Sequence, residues 1–317
     1  MKRLTGPIAA GLLLLLAGVA QAAEPLIDVA WVKANLGKPG IVLLDVRGKL
    51  DNNSKATYLR EHIPGAIYTD YLEDGWRVKD ANGTIAMLPD VAKLEKLIGG
   101  LGIGNDSHVV IVPNGAQALD MGTATRIYWT FKVLGHDNVS ILDGGMMAWT
   151  KEVDAKSKKP VNPLEKGANT LPAKSFKGTL NEAMIATKEE VEAARKSGVL
   201  LVDNRPNDQY LGVNRHGKSK RSGTIPGAKN LPENWLTANG GGSFRDRDSL
   251  QTLYAAADVP TSGRQITFCN TGHWASLGWF VSSELLGNKD VIMYDGSMVE
   301  WSGDDKLPIQ SLVKVNN

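Results

Sequence analysis

Cysteine is nearly absent from this chain of 317 residues: Cys269 is the only one. No internal disulfide is possible, so the fold rests on burial and hydrogen bonding. A lone thiol in an oxidising compartment must be protected, paired with a partner or used. An excess of one charge is also lacking. Lys plus Arg number 36 and Asp plus Glu 34, a net charge of +2, which gives no footprint for nucleic acid or an anionic membrane. Five histidines and one cysteine show no metal-ligand spacing, which disfavours a metal site; no cofactor is expected. The most membrane-like apolar run is Ile8 to Val19. It follows Met1-Lys2-Arg3 and precedes Ala20-Gln21-Ala22, an A-x-A site, so residues 1–22 read as a secretory signal peptide. The run is short for a membrane span, and no Cys follows the cleavage point to take a lipid anchor. The expectation is a mature chain from Ala23, periplasmic and soluble, with no stable membrane anchor.

The stretch around Cys269 carries the chemistry. Ile266-Thr267-Phe268 reads as the end of a buried strand. Leu277, Phe280, Val281 and Leu285 recur at helical spacing, and Gly287 is a suitable stop. Between them lies Cys269-Asn270-Thr271-Gly272-His273-Trp274-Ala275. A strand, a short loop containing glycine and a helix N-terminus can aim several backbone N–H groups at one point, and the helix dipole adds partial positive charge. A thiol held there is favoured as thiolate, the nucleophilic form. The competing reading is a small core hydrophobe. The six residues after Cys269 contain no Arg to grip a phosphate, which argues against a cysteine phosphatase.

The remainder of the chain is written twice. Ile41-Val42-Leu43-Leu44-Asp45-Val46-Arg47 is echoed by Val199-Leu200-Leu201-Val202-Asp203-Asn204-Arg205. Ile63-Pro64-Gly65-Ala66 returns as Ile225-Pro226-Gly227-Ala228. Val109–Val112 and Gln265–Phe268 follow, then Val139–Gly145 and Val291–Ser297, and the copies close on Trp149 and Trp301. Unbroken apolar strands alternating with helical patterns imply parallel sheets covered on both faces. Ligands bind outside the carboxyl ends of such strands, where Cys269 falls. Lys151 to Lys174, rich in Lys and Pro, reads as a linker. The Asp-x-Arg pairs read as structural. The basic segment Arg215 to Arg221 reads as a solvated loop or as a recruiter of anions.

In order and spacing these motifs resemble the tandem rhodanese (thiosulfate/3-mercaptopyruvate sulfurtransferase) family over nearly all of the mature chain. The loop fits the family's Cys-x-x-Gly-x-x-Ala pattern, and Tyr294-Asp295-Gly296-Ser297 before Glu300-Trp301 is another specific match. The resemblance implies an α/β chain of two tandem rhodanese-like domains, each a mainly parallel sheet with helices on both faces. It places a domain without a catalytic Cys at 23–152, a linker at 153–180 and a catalytic domain at 181–317. Asn114 aligns roughly where a first-domain Cys would stand.

What the resemblance implies for chemistry is sulfur transfer through a Cys269 persulfide, cradled by the N–H groups of Asn270, Thr271, Gly272, His273, Trp274 and Ala275. The partners are a small sulfur-containing anion as donor and a thiol, cyanide or protein as acceptor. Thiosulfate-preferring members carry cations just after the Cys, and Asn270 and Thr271 are neutral. Mercaptopyruvate-preferring members carry a His where this chain has Ala86, before Met87-Leu88-Pro89, and an Arg near the position of Gln209. Neither pattern fits in full, and thiosulfate is the expected donor. Arg245 is the expected cationic substrate contact, and Trp235 lines the cleft or packs in the core. His273 reads either as a partly protonated partner of the thiolate or as a hydrogen-bonded loop residue, and Trp274 either as packing or as a cap over the loop. A non-enzymatic sulfur carrier or a thiol redox sensor is the alternative reading.

Overall fold

The computed structural model describes residues 23–315. The expected signal peptide, residues 1–22, lies outside them. No helix among the described residues is long and apolar enough to cross a membrane.

Two five-stranded sheets share one topology. The first comprises β1 (Leu26–Ile27), β2 (Ile41–Asp45), β3 (Ile67–Tyr68), β4 (His108–Val112) and β5 (Val139–Leu142), in the order β1-β5-β4-β2-β3. The second comprises β6 (Ile185–Ala186), β7 (Leu200–Asp203), β8 (Lys229–Asn230), β9 (Gln265–Phe268) and β10 (Val291–Tyr294), in the order β6-β10-β9-β7-β8. Every strand pairing is parallel. The duplication in the sequence is thus a duplication of topology.

Strand alternation assigns each sheet two cores. Val42, Leu44, Val109 and Ile111 face an inner core that also takes Val202 and Met293 from the second sheet. Leu43, Val110 and Val112 face an outer core private to the first sheet. Leu201, Ile266, Phe268 and Ile292 face the corresponding outer core of the second. Because both sheets send one face into a common core, the two domains form one packed unit. Burying each such Leu, Ile or Val contributes about 1.5–3 kcal/mol.

The repeated motifs hold the same places in both domains. Arg47 pairs with Asp45 at 2.7 Å and donates to the Glu61 carbonyl; Arg205 pairs with Asp203 at 2.6 Å and donates to the Gly223 carbonyl. All four side chains are buried, so the Asp-x-Arg pairs are brackets between a strand end and the following loop. Trp149 and Trp301 are fully buried, each donating its indole N–H to a proline carbonyl downstream.

The segment between the domains is no free tether. Its Lys and Pro content signals solvation, yet its backbone finds partners on the first domain: Glu165 N–H donates to the His62 carbonyl, Lys174 N–H to Gly99 and Thr179 N–H to Leu134, each at 2.9 Å. Phe176 is buried against Phe131 and His136. These bonds strap the segment down because each satisfies backbone groups that a buried surface would otherwise leave unpaired.

Candidate active site

Cys269 directly follows β9. Its backbone N–H donates to Ser297 Oγ at 3.1 Å, and Gly272 N–H donates to the same oxygen at 3.2 Å. Ser297 Oγ in turn donates to the Tyr294 carbonyl. One hydroxyl, from the loop after β10, therefore closes the Cys269 loop into a ring. Gly272 has φ +73°, and a Cβ there would collide with Arg126 and Asp295, so glycine is required twice.

The loop opens the His273–Phe280 helix, which continues as a π-helical turn over Val281–Leu285. Ser276 N–H makes the first intrahelical bond, to the Gly272 carbonyl. The N–H groups of His273, Trp274 and Ala275 precede it and are the unsatisfied donors of the helix start. Those of Asn270 and Thr271 have no acceptor among the described residues either. The expected cradle is thus five donors rather than six, because Gly272 N–H is committed to Ser297.

Cys269 is 1% exposed, yet it is not sealed in hydrocarbon. It lines a cavity of about 390 Å³ with Asn270, Thr271, His273, Trp274 and His216 from the second domain and Leu50, Arg77, Ile85, Ala86 and Leu119 from the first. The thiol and half of its surroundings come from different domains. A larger cleft of about 680 Å³ between the domains, lined by Lys188, Lys218, Lys220 and Lys306 with Glu300, Asp304 and Asp305, has no thiol on its walls, whereas the smaller one holds Cys269.

The domains are fixed together at this point. Arg126, on the Ala118–Val133 helix, forms a buried ion pair with Asp295, whose second oxygen accepts Leu88 N–H at 2.7 Å. Thr125 Oγ1 meets Ser276 Oγ at 2.9 Å. A Cβ on Gly122 would collide with the His273 ring, so the two helices approach as closely as they do because that residue has no side chain.

The structure favours one of the two readings of His273 and moves two expected substrate contacts. His273 is buried, with Nε2 2.9 Å from the Leu119 carbonyl and Nδ1 3.1 Å from Tyr71 Oη. Nε2–H donates to the carbonyl, leaving Nδ1 to accept from the tyrosine. Burial, joined by the charge of Arg77, pushes its pKa down from 6.5 to about 3. The ring is neutral and docks the loop on the first domain; it offers no charge to an anion. Arg245, expected at the substrate, and Trp235, expected to line the cleft or pack in the core, are not brought to the cavity. Arg245 Nε donates to the Trp235 carbonyl at 2.9 Å, and the Trp235 side chain is exposed. Their sequence position gave no measure of which side of the sheet the Glu233–Trp235 turn would take.

Trp274 does line the cavity, and its Nε1 is buried without a partner. Asn270 donates through Nδ2 to Gln209 Oε1 at 2.9 Å, which places Gln209 beside the loop, while Asn270 Oδ1 is left unpaired. Of the basic segment, Arg221 is spent on the carbonyls of Ser302, Leu307 and Asp304, and only His216 reaches the cavity. Sequence reasoning did not place Arg77 at the cavity: it belongs to none of the repeated motifs, and nothing in its neighbourhood marks it out before folding.

Asn114 is not the counterpart of Cys269. Asp45 pairs with Val112 and Asp203 with Phe268, so the next residues, Pro113 and Cys269, correspond. Their carbonyls accept equivalent bonds, from Met146 and Met298 N–H. The first domain has proline where the second has its thiol.

Comparisons with known proteins agree with this geometry. The rhodanese-like domain matches the chain twice, over residues 28–152 and 187–304. A putative thiosulfate sulfurtransferase of Mycobacterium tuberculosis is 33% identical over 295 residues, covering 90% of this chain and 98% of the relative. The thiosulfate sulfurtransferase of Bos taurus is 34% identical over 288 residues, covering 87% and 91%. The crystal structure of SseA from Escherichia coli, described among 3-mercaptopyruvate sulfotransferases, superposes with a TM-score of 0.72 at 26% identity, covering 87% of this chain and 99% of that one.

Proposed function

Because this chain belongs to the rhodanese-like family, whose full-length relatives are named as sulfurtransferases, we propose that it transfers sulfane sulfur through a persulfide on Cys269. The observation that carries this reading is the meeting of the chain's one thiol, a set of unpaired backbone N–H donors and a cavity of small-molecule size at a single loop.

The reaction has two halves. The Cys269 thiolate attacks the outer sulfur of thiosulfate, a new S–S bond forms, and the old S–S bond breaks with its electron pair leaving on sulfite. The enzyme then holds Cys–S–S⁻. The terminal sulfur is an anion, and the N–H groups of Asn270, Thr271, His273, Trp274 and Ala275 are the donors that stabilise it without reorganising. An acceptor thiolate attacks that sulfur, leaves as its own persulfide and returns Cys269 as thiolate, which is double-displacement covalent catalysis. Thiosulfate is preferred over 3-mercaptopyruvate because Ala86 and Gln209 stand where the latter's partners are expected, and because the relatives matched at 33–34% identity are named for thiosulfate.

The same reading places the mature chain in the periplasm, on the Met1–Ala22 pattern, with the first domain ending near residue 152 and the catalytic domain beginning near residue 181. The test is the mass of the intact protein after thiosulfate. A gain of one sulfur atom, confined to Cys269 and reversed by cyanide with release of thiocyanate, is the expected result. A sulfenate or mixed disulfide formed with peroxide, with no sulfur gained from any donor, would reassign Cys269 as a redox sensor. A persulfide that forms but never turns over would make the chain a carrier.

A further inference from the structure

Besides the backbone groups of the loop, the cavity wall holds two side-chain N–H donors that nothing among the described residues satisfies. Arg77 Nε and Trp274 Nε1 are both buried without a hydrogen-bond partner, and both residues line the cavity beside Cys269. Arg77 comes from the first domain and Trp274 from the second.

Among the described residues, every other arginine that is not exposed has an acceptor. Arg47, Arg126, Arg195 and Arg205 pair with carboxylates, and Arg221 and Arg245 donate to carbonyls. Arg77 has only the face of Tyr71, 4.2 Å from its guanidinium carbon. No acidic residue lines the cavity. Arg77 is half-buried with its Nε fully so; a buried N–H left unpaired is costly, and the missing acceptor is what an anionic ligand supplies.

The position of Arg77 is built. Trp76 before it is buried, its indole donating to Thr69 Oγ1 at 2.8 Å. Val78 after it exchanges two backbone hydrogen bonds with Met87, both at 2.9 Å. The arginine is presented between two fixed residues, as a preorganised recognition group must be.

We propose that Arg77, with the Trp274 indole N–H, binds the anionic group of the sulfur donor, so that the first domain selects the substrate which the second attacks. A planar guanidinium fork suits the paired oxygens of a sulfonate or carboxylate. The inference rests on the sulfur-transfer reading for its substrate, but the anion site itself has an independent readout in the alkylation of Cys269.

Two measurements on the full chain test it. In steady state, Arg77→Gln is expected to lower kcat/KM for thiosulfate about 10- to 100-fold, chiefly through KM, and Arg77→Lys to recover part of the loss by restoring charge without the fork. In alkylation, the rate ratio of iodoacetate, an anion, to iodoacetamide, its neutral analogue, is expected to fall about 10-fold in Arg77→Gln. An unchanged ratio, or equal slowing of both reagents, would overturn the anion site. If the wild-type protein gains sulfur from no donor while iodoacetate preference still depends on Arg77, the sulfur-transfer reading falls and the anion site stands.

Discussion

Two loops at the same place in two copies of one fold have opposite fates. In the second domain Cys269 is followed by backbone N–H groups that no group among the described residues accepts from. In the first domain Pro113 carries neither a thiol nor an N–H, and the loop after it is filled from within. Asp120 Oδ2 accepts from Ala116 N–H at 2.7 Å, from Gln117 N–H at 3.2 Å and from the Asn114 side chain at 3.2 Å. The loop geometry gathers donors that want an anion. One copy supplies that anion as its own carboxylate, and the other leaves the place open beside a sulfur. Ser297 completes the contrast: its counterpart by register is Gly145, which has no hydroxyl to hold a loop. The first domain shares the frame, has no thiol at the equivalent place and contributes Arg77, Ala86 and Leu119 to the cavity wall.

The comparison is broken most completely by Cys269→Ser. Sulfur transfer is expected to fall to background while the melting temperature stays close to wild type, because Ser fills nearly the same buried volume; residual turnover near the wild-type level would remove Cys269 from the mechanism.

The joint between the copies comes next. Arg126→Ala leaves Asp295 buried without its partner and is expected to destabilise by about 3–5 kcal/mol, read from denaturant midpoints. A change within the error of the measurement would mean that the pair contributes nothing to docking.

His273 gives the joint a pH dependence. Its folded pKa, about 3, lies below the ordinary 6.5, so the unfolded chain binds a proton that the folded one refuses. Its contribution to stability is therefore fully present above about pH 6.5 and is lost as pH falls toward 3, by up to about 1.4 kcal/mol per pH unit. His273→Phe should remove this slope between pH 6.5 and 4; an unaltered slope would assign the acid sensitivity to other groups.

Ser297→Ala sharpens the contrast further, since it takes from the second loop the hydroxyl that the first loop lacks. A cost of about 1–3 kcal/mol and a fall in kcat larger than any change in KM are expected, because the loop loses the atom that holds Cys269 and Gly272 N–H in place. The smallest effect is expected from Pro113→Cys in a Cys269→Ser background: no sulfur gain with thiosulfate, since Asp120 already occupies the donors. A clear gain would show that the first loop is still competent.

Much of this was legible in the sequence. The duplicated Asp-x-Arg and Ile-Pro-Gly-Ala motifs and the unbroken apolar strands specified two parallel sheets, because those patterns report local backbone and burial preferences. The Cys269 loop was legible for the same reason: strand, glycine and helix start are contiguous in the chain. What could not be read was anything assembled across the domain interface. His273 looked like a candidate acid beside the sulfur, but its protonation depends on Leu119, Tyr71 and the depth of its burial. Arg245 looked like the cation for the donor because it lies in the catalytic domain, whereas the cation at the cavity is Arg77, almost two hundred residues before the thiol.

The sequence by itself determined the fold, its duplication and the place of the one thiol at the end of a strand, since each is written in residues adjacent along the chain. Only the tertiary structure decided which donors stay open, which are filled by Asp120 or Ser297, and which cation faces Cys269. Those outcomes depend on distances between segments remote in sequence, and charge and hydrogen bonding act through distance.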